Sequence, residues 1–284
     1  MVEEAGSSGG VVHLLVAHMG EARPLLSDLG LRRVREDGPF ARFEGEGVHL
    51  VVAGQGKANA GAGVAYLHAR SGGIRHAAWL NVGIAGHARF DLGSVRLGHK
   101  IVDVAAGHAI YPPLVFARPC ASTVVFTVDR VEGGYPEDGV YDMEASAFCQ
   151  VATRFCTSEL VQVIKIVADN RLHPALRMTA GECTQRMAPA IEVVAAVIHD
   201  LRKLSAVLRR GHADPAGWVD LTSRWSFSTT QKLQLRRLLQ HWSALLPCED
   251  PSKYLGSARG AKAAMSALRG RLDAARLESS VVHD

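Results

Sequence analysis

The sequence lacks the features that mark membrane and secreted proteins. No apolar run approaches the roughly 18 residues that a membrane-spanning helix needs. Residues 1–10, MVEEAGSSGG, are acidic and rich in small residues, without the basic segment and apolar stretch of a secretory signal. We therefore expect a flexible tail at 1–10 and no association with a membrane.

Cysteine is scarce and shows no pairing pattern. The five cysteines are odd in number and dispersed, and no two of them form a C-x-x-C pair. Reduced thiols in a cytoplasmic protein are the natural interpretation of such a pattern. The 13 histidines likewise show no metal-ligand spacing, so we expect no metal site.

Length and charge divide the chain into two parts. At 284 residues, it can bury a full core in one large domain and still carry an appendage. From residue 201 onward there are 14 Lys and Arg against 7 Asp and Glu, a net charge of +7. The first 200 residues carry 18 against 21, a net charge of −3. The C-terminal part is therefore a basic region distinct from the main domain.

Short apolar runs alternate with glycine-rich turns and predict an α/β domain at 11–210. A long amphipathic helix from Thr184 to about Arg210 closes this domain. The predicted strands are 11–16, 32–35, 41–44, 48–53, 77–80, 95–103, 123–128 and 160–167, with a glycine turn at 81–87 and an irregular segment at 104–120.

Residues 211–284 are predicted to form a basic helical extension. Beyond the Asp214-Pro215 break, two helical stretches cover about 229–246 and 258–277. Basic residues next to tryptophans indicate either a solvated helix face or a weak contact with nucleic acid.

The segment from Val140 to Ala152 combines a buried helix with a carboxylate. Asp142 is a good helix N-cap, because its carboxylate can accept hydrogen bonds from the first-turn backbone N–H groups. Glu144 then lies two places inside the predicted start, among residues that favour burial. A glutamate that compensates the helix dipole is one interpretation of this pattern.

Asp-Met-Glu-Ala-Ser-Ala at 142–147 resembles the Met-Glu motif of the purine nucleoside phosphorylase and methylthioadenosine/S-adenosylhomocysteine nucleosidase superfamily. In that family the motif opens a helix and holds the ribose, which implies that Met143 and Glu144 bind the sugar. The resemblance covers about Val11 to Leu208. It implies a mixed central β-sheet flanked by helices, the nucleoside phosphorylase-like fold, with an additional C-terminal helical extension.

Two further acids match the family in order and spacing. Residues 17–21, AHMGE, resemble the Ala-Met-x-x-Glu stretch of the nucleosidases, which implies that Glu21 positions the attacking water. Residues 168–170, ADN, resemble the family's Ser-Asp-x turn, whose aspartate protonates the leaving base at N7, which implies that Asp169 is the general acid. A solvated first-turn glutamate and an aspartate that caps a turn are the alternatives. Ala168 replaces a serine whose hydroxyl would orient the carboxylate.

Two more segments resemble substrate-binding turns of the family. Residues 81–87 resemble the Asn-x-Gly-x-Ala-Gly-Gly turn that lines the sugar and nucleophile site, which implies substrate contacts from Asn81, Gly83 and Ile84. Val131 corresponds to the position that faces the base, where the nucleosidases have a phenylalanine that stacks on adenine. The resemblance implies that Val131 contacts the base, and the aliphatic side chain leaves the identity of the base open.

The nucleophile is open to two interpretations. Phosphorylases carry an arginine where Asn81 stands and a serine near Ile84, because a dianionic phosphate needs a charge-assisted donor. Their absence favours water, although Arg23 or His87 are other sources of positive charge.

These observations predict a nucleosidase-like hydrolase that releases the base of a purine-type nucleoside or 5′-thionucleoside. Analogous glycoside chemistry uses one acid for the leaving group and a second carboxylate for the nucleophile. A phosphate-dependent phosphorylase is one alternative, and a non-catalytic nucleoside- or nucleic-acid-binding protein with a degenerate pocket is another. We expect no cofactor, with phosphate a co-substrate only in a phosphorylase, and a homo-oligomer, with a dimer favoured.

Overall fold

The computed structural model of the chain describes residues 9–174, 178–212, 214–256 and 258–281. Most of the tail predicted at 1–10 lies outside these ranges, because the description starts at residue 9. The chain forms two compact units, the first ending at Gly211 and the second beginning at His212. Within the described ranges, no helix is long and apolar enough to cross a membrane.

The first unit alternates strands with helices, as its apolar runs and glycine-rich turns predict. Its strands are β1 Val12–Val16, β2 Arg32–Arg33, β3 Ala41–Gly45, β4 Val48–Val52, β5 Ala78–Gly86, β6 Val95–Asp103, β7 His108–Ile110, β8 Ser122–Thr127, β9 Val140–Asp142 and β10 Val161–Asp169. Its helices are α1 Met19–Asp28, α2 Lys57–Arg70, α3 Ala145–Ala152, α4 Ala180–Met187 and α5 Ile191–His212.

The strands form one mixed sheet that closes on itself at one end. β5 pairs in parallel with β10, β10 antiparallel with β6, β6 in parallel with β8, β8 in parallel with β9, and β9 antiparallel with β5. From this closed ring the sheet extends through β1, β4, β3 and β2. β1 is parallel to both β4 and β5, so β1 and β5 end at the same edge.

Helices cover both faces of the sheet, and the strand pleat decides which residues meet which helices. Leu14 and Leu80 lie in one apolar cluster with residues of α1, α4 and α5. Leu15 and Trp79 lie in a second cluster with residues of α2 and α3. Because successive side chains of a strand point to opposite faces, strands buried on both sides are apolar throughout.

β5 continues through the segment where the sequence predicts a glycine turn. Residues 81–86 remain in the strand and pair with β10. Gly83 and Gly86 provide space on this strand, since a Cβ at Gly83 would lie 2.9 Å from Glu21 Oε1 and one at Gly86 would lie 2.8 Å from Asp169 Oδ2. The glycines therefore make room for side chains from elsewhere and do not mark a change of chain direction.

The helix predicted from Asp142 begins later, at Ala145. Asp142 is the last residue of β9, and Glu144 takes the N-cap position. The Asp142 carboxylate still accepts hydrogen bonds from the backbone N–H of Glu144, at 3.2 Å, and of Ala145, at 2.8 Å. The predicted capping contact is correct, whereas the predicted start of the helix is two residues early, because Asp142 still pairs with Thr127 of β8.

Two smaller differences concern the helix predicted at 184–210 and the segment predicted as irregular. The helix predicted from Thr184 starts earlier and is two helices, α4 and α5, separated by a 3₁₀ turn at 188–190 that contains Pro189. The segment predicted as irregular includes the short strand β7, which pairs with β6. Proline explains the helix break, since it removes a backbone donor and clashes with the preceding turn.

The second unit is helical and has its own apolar core. Its helices are α6 Trp218–Arg224, α7 Thr229–Leu245 and α8 Ala261–Val281. Helices α7 and α8 are the two expected there, and α6 is a short helix that precedes them. The indole N–H of Trp242 donates to the carbonyl of Glu249 at 2.7 Å, and the Glu249 carboxylate pairs with Arg271 at 2.7 Å. The core of this unit includes Leu221, Leu235, Leu239, Trp242, Leu268 and Leu272.

Candidate active site

A cavity of about 510 Å³ lies at the carboxyl ends of β1, β5 and β10. Open α/β sheets place their ligand sites at this edge, and the volume suits a small molecule. No lysine or arginine is among the described residues that line it. The acidic side chains in its wall are Glu21, Glu132, Asp142, Glu144 and Asp169.

Glu21 is held in the cavity wall by backbone groups of two elements. Its Oε2 accepts from the N–H of Ala17 at 2.7 Å and of His18 at 3.0 Å, at the start of α1. Its Oε1 accepts from the N–H of Ile84 on β5 at 2.9 Å. Three backbone donors thus fix a carboxylate that is only 2% exposed. Glu21 is therefore a preorganised acceptor.

Lys165 supplies the positive charge beneath the acids. Its side chain projects from β10 and is fully buried, with Nζ 2.7 Å from Asp142 Oδ2. Burial lowers the pKa of Lys165, but the carboxylates of Asp142 and Glu144 raise it by more. Lys165 therefore stays charged. A Cβ at Gly83 would lie 3.5 Å from Nζ and 2.9 Å from Glu21 Oε1, so Lys165 and Glu21 meet over this glycine.

Glu144 lies at the start of α3 with an altered protonation equilibrium. Its Oε1 accepts from the backbone N–H of Gly56 at 2.7 Å. Burial raises the pKa of Glu144 to about 7, while Lys165 opposes this rise. Met143 lies beside it in the cavity wall, with its sulfur 2.8 Å from Gln55 Nε2. The Met-Glu pair therefore presents one thioether and one carboxyl group to the cavity.

Asp169 ends β10 and lies at the cavity wall, where Tyr135 contacts it. The Tyr135 hydroxyl donates to Asp169 Oδ2. Burial raises the pKa of Asp169, and the hydrogen bond from Tyr135 opposes this rise. Among the described residues, Oδ1 has no hydrogen-bond partner, so this oxygen is available to a ligand.

The remaining sequence-predicted site residues divide into those inside and those outside the cavity. Ile84 and Val131 line it, and Gly83 lies under Glu21 and Lys165. Asn81 does not line it, because its amide Nδ2 donates to the carbonyl of Leu15 at 3.2 Å inside the sheet. The expected contact between Asn81 and substrate is therefore replaced by a contact between strands.

The two other sources of positive charge also lie away from the cavity wall. Arg23 is exposed on α1. His87 is buried, and its Nδ1 accepts from the backbone N–H groups of Arg89 and Phe90 at 3.0 and 2.9 Å. In the described ranges no cluster of His, Cys, Asp and Glu has the geometry of a metal site.

Sequence reasoning missed Lys165 and Tyr135 as site residues and assigned Asp142 only a capping role. The signal for Lys165 is its presence in the apolar strand LVQVIKIV, where a buried charge needs a partner. Tyr135 carries no comparable signal, since it lies in a loop and is 34 residues from Asp169.

Comparison with known proteins gives a match in structure and none in sequence. No protein-family model matches the chain, and no curated protein matches it. The 5′-methylthioadenosine/S-adenosylhomocysteine nucleosidase of Helicobacter pylori is 13% identical, with a TM-score of 0.55 over 67% of this chain and 98% of its own.

Two other solved structures agree. The 5′-methylthioadenosine nucleosidase of Arabidopsis thaliana is 19% identical, with a TM-score of 0.57 over 70% of this chain and 99% of its own. A futalosine hydrolase mutant of Helicobacter pylori is 13% identical, with a TM-score of 0.54 over 67% of this chain and 99% of its own. The chain therefore has the mixed α/β fold of these solved structures, as the resemblance implies.

Proposed function

We propose that the chain is a nucleosidase that hydrolyses the N-glycosidic bond of a purine-type nucleoside or 5′-thionucleoside and releases the base. The observation that carries this proposal is the convergence of Glu21, Glu144 and Asp169 on one cavity. Their surroundings differ, and groups with different environments can take the acid, base and binding roles of one reaction.

Asp169 is the general acid in this proposal. Cleavage leaves negative charge on the departing base, and a carboxylic acid in contact with the base neutralises it by giving up a proton. Burial favours the protonated form of Asp169 by raising its pKa. Oδ1 is the oxygen that carries the proton, because Oδ2 accepts from Tyr135.

Glu21 orients the attacking water in this proposal. Its three backbone donors leave lone pairs on both oxygens that can accept from a water molecule in the cavity. Lys165 lies behind the cavity wall, where it meets Glu21 over Gly83. The fixed negative charge of Glu21 stabilises the cationic sugar without reorganisation during the reaction.

Glu144 and Met143 bind the ribose in this proposal. The Glu144 carboxyl group has one oxygen on Gly56 and faces the cavity, where sugar hydroxyls can donate to it. Met143 offers apolar contact to the sugar ring. Met19, Met178 and Cys183 line another part of the cavity and support an apolar or thioether substituent at the 5′ position.

Water is favoured over phosphate as the nucleophile. A dianionic phosphate needs cationic donors, yet the described cavity wall contains several acids and no lysine or arginine. Lys165 lies behind the wall and is paired with Asp142. The proposed reaction therefore needs no phosphate and no cofactor.

The cysteines, the exposed apolar residues and the basic second unit bear on the compartment and the partners of the protein. Five free cysteines support a reducing compartment such as the cytoplasm. Val104, Tyr111 and Val115 are exposed apolar residues of the first unit and support a homodimer. A weak contact of the basic second unit with nucleic acid remains part of the proposal, with its salt dependence as the test.

The test is release of free base from a panel of nucleosides, followed by chromatography with and without phosphate. Wild-type protein should release base in phosphate-free buffer. Asp169→Asn should lower the rate of base release roughly 10²–10⁴-fold. Asp28→Asn, at an exposed aspartate ending α1, is the matched control and should retain activity. Base release by D169N at the wild-type rate, or strict dependence on phosphate, would remove the proposal.

A further inference from the structure

Tyr135 has an unusual position for a tyrosine in a loop. It is only 4% exposed, although it lies between β8 and β9 and outside every strand and helix. Its φ of 46° lies in the left-handed region that side chains other than glycine rarely adopt. Backbone conformations of this kind persist where surrounding contacts impose them, and they cluster at functional sites.

We propose that Tyr135 is a positioning residue for Asp169. Its hydroxyl holds Oδ2, so that Oδ1 alone faces the leaving base and carries the transferred proton. This inference rests on the proposed nucleosidase function and adds to it a residue that contacts neither the sugar nor the water.

The surroundings of Tyr135 are shaped to hold the ring in place. A Cβ at Gly86 would lie 2.8 Å from Tyr135 Cε1, 2.9 Å from its hydroxyl oxygen and 2.8 Å from Asp169 Oδ2. Only glycine at position 86 therefore admits the tyrosine and the aspartate together. Tyr141 packs against the ring edge-on, with ring centroids 5.7 Å apart.

The loop that carries Tyr135 is tied to the far side of Asp169. Arg171, two residues beyond Asp169, donates from Nη2 to the carbonyl of Gly134 at 2.7 Å. The loop and the end of β10 are thus joined at two neighbouring points. The contact between Arg171 and Gly134 fixes the backbone of the loop, and the contact between Tyr135 and Asp169 fixes the orientation of the carboxylate.

Tyr135 also compensates for a missing group. The resemblance at 168–170 implies a serine hydroxyl that orients the aspartate, but residue 168 is alanine at the end of β10, and its side chain has no hydrogen-bonding atom. The Tyr135 hydroxyl reaches Asp169 from a different loop. The chain therefore supplies an orienting hydroxyl from a residue 34 positions away in sequence.

The hydrogen bond from Tyr135 to Asp169 has a predictable effect on the protonation of Asp169. A hydroxyl that donates to a carboxylate stabilises its ionised form, so removing the hydroxyl raises the pKa of Asp169. The active form of a general acid is the protonated one, and activity falls as pH rises through its pKa. Tyr135→Phe should therefore move the alkaline limb of the activity profile to higher pH, by about 1 to 2 units.

The experiment compares Tyr135→Phe with Tyr66→Phe, which removes a hydroxyl donating to Glu36 at 3.1 Å outside the cavity wall. Base release is measured against pH, and the Asp169 carboxyl carbon is titrated by NMR, with D169N used for assignment. We expect Y135F to lower kcat on the order of 10- to 100-fold, with KM little changed and the alkaline limb raised. Y66F should leave kcat and the pH of the alkaline limb unchanged.

The outcomes separate this inference from the proposed function. A Y135F protein whose alkaline limb and Asp169 titration both match wild type would overturn the positioning role, even if its rate were lower. A Tyr135→Ala protein that is faster than wild type would also overturn it, because the ring would then be an obstruction. Wild-type protein without base release would defeat the nucleosidase proposal, and the NMR titration would still decide whether Tyr135 tunes Asp169.

Discussion

Replacing Lys165 by methionine tests the electrostatic design of the site directly. Lys165 Nζ and Asp142 Oδ2 are 2.7 Å apart, and both side chains are 0% exposed. At an effective dielectric constant of about 20, charges at this distance attract by about 6 kcal/mol, part of which offsets their desolvation. Methionine fills much of the same volume and removes the charge. The Asp142 carboxylate would then lie buried near Glu144 and Glu21 without a cation.

We expect K165M to lower the free energy of unfolding of the first unit by about 3–5 kcal/mol, the usual cost of breaking a buried pair. In urea this loss corresponds to a fall in the midpoint on the order of 1–2 M. Three of the four tryptophans, at 218, 225 and 242, lie in the second unit. Total tryptophan fluorescence therefore reports mainly on unfolding of the second unit, whereas Lys165 lies in the first. Hydrogen exchange of peptides covering β10 gives the local measurement.

A double-mutant cycle supplies the control. Asp142→Asn alone removes the other charge, and the double variant K165M/D142N should lose less stability than the sum of the two single losses, by at least about 1 kcal/mol. A K165M protein with an unchanged urea midpoint, or strictly additive losses, would refute the claim that these groups neutralise each other.

Glu144, Gly86 and Gly270 each give a further prediction. Because burial raises the pKa of Glu144 from 4.5 to about 7, its contribution to stability is complete below pH 4.5 and is lost as pH rises through 7. Glu144→Gln should therefore be more stable than wild type at pH 8, by up to about 3 kcal/mol, in urea titrations. Gly86→Ala, with its Cβ 2.8 Å from Asp169 Oδ2, should reduce base release on the order of 10-fold or more. Gly270→Ala, in open space on α8, should stabilise the second unit by about 0.5–1 kcal/mol, as followed by tryptophan fluorescence.

A specific result would contradict each of these three predictions. The E144Q advantage should shrink at pH 4, and an equal difference at both pH values would show that titration is not the cause. Gly133→Ala is the control for G86A, because a Cβ there meets nothing within 4 Å. Equal losses in both glycine variants would remove the steric argument. A lower melting temperature for G270A would mean that α8 packs differently.

The apolar runs of the sequence predict most of the first unit because its strands are buried on both faces. β1, β4 and β10 begin and end within one or two residues of the runs that predict them. The glycines at 83 and 86 mislead, since glycine in a strand can mark either a turn or the close approach of another group. Only the positions of Glu21 and Asp169 decide between these interpretations.

The acids were accessible from sequence because they follow strand ends or open a helix. Their partners were not, because each partner arrives through a contact between distant segments. Lys165 meets Asp142 only because β10 and β9 both pair with β5. Tyr135 reaches Asp169 from a loop whose backbone conformation no local pattern predicts.

β10 is the last strand among the described residues, yet it lies between β5 and β6. During synthesis, β5 and β6 leave the ribosome before residues 161–169. Each therefore has an edge with unpaired backbone N–H and C=O groups until β10 pairs with it. Exposed strand edges of this kind can pair with other chains. A chain that stops before residue 161 therefore has an open sheet with two edges available for aggregation.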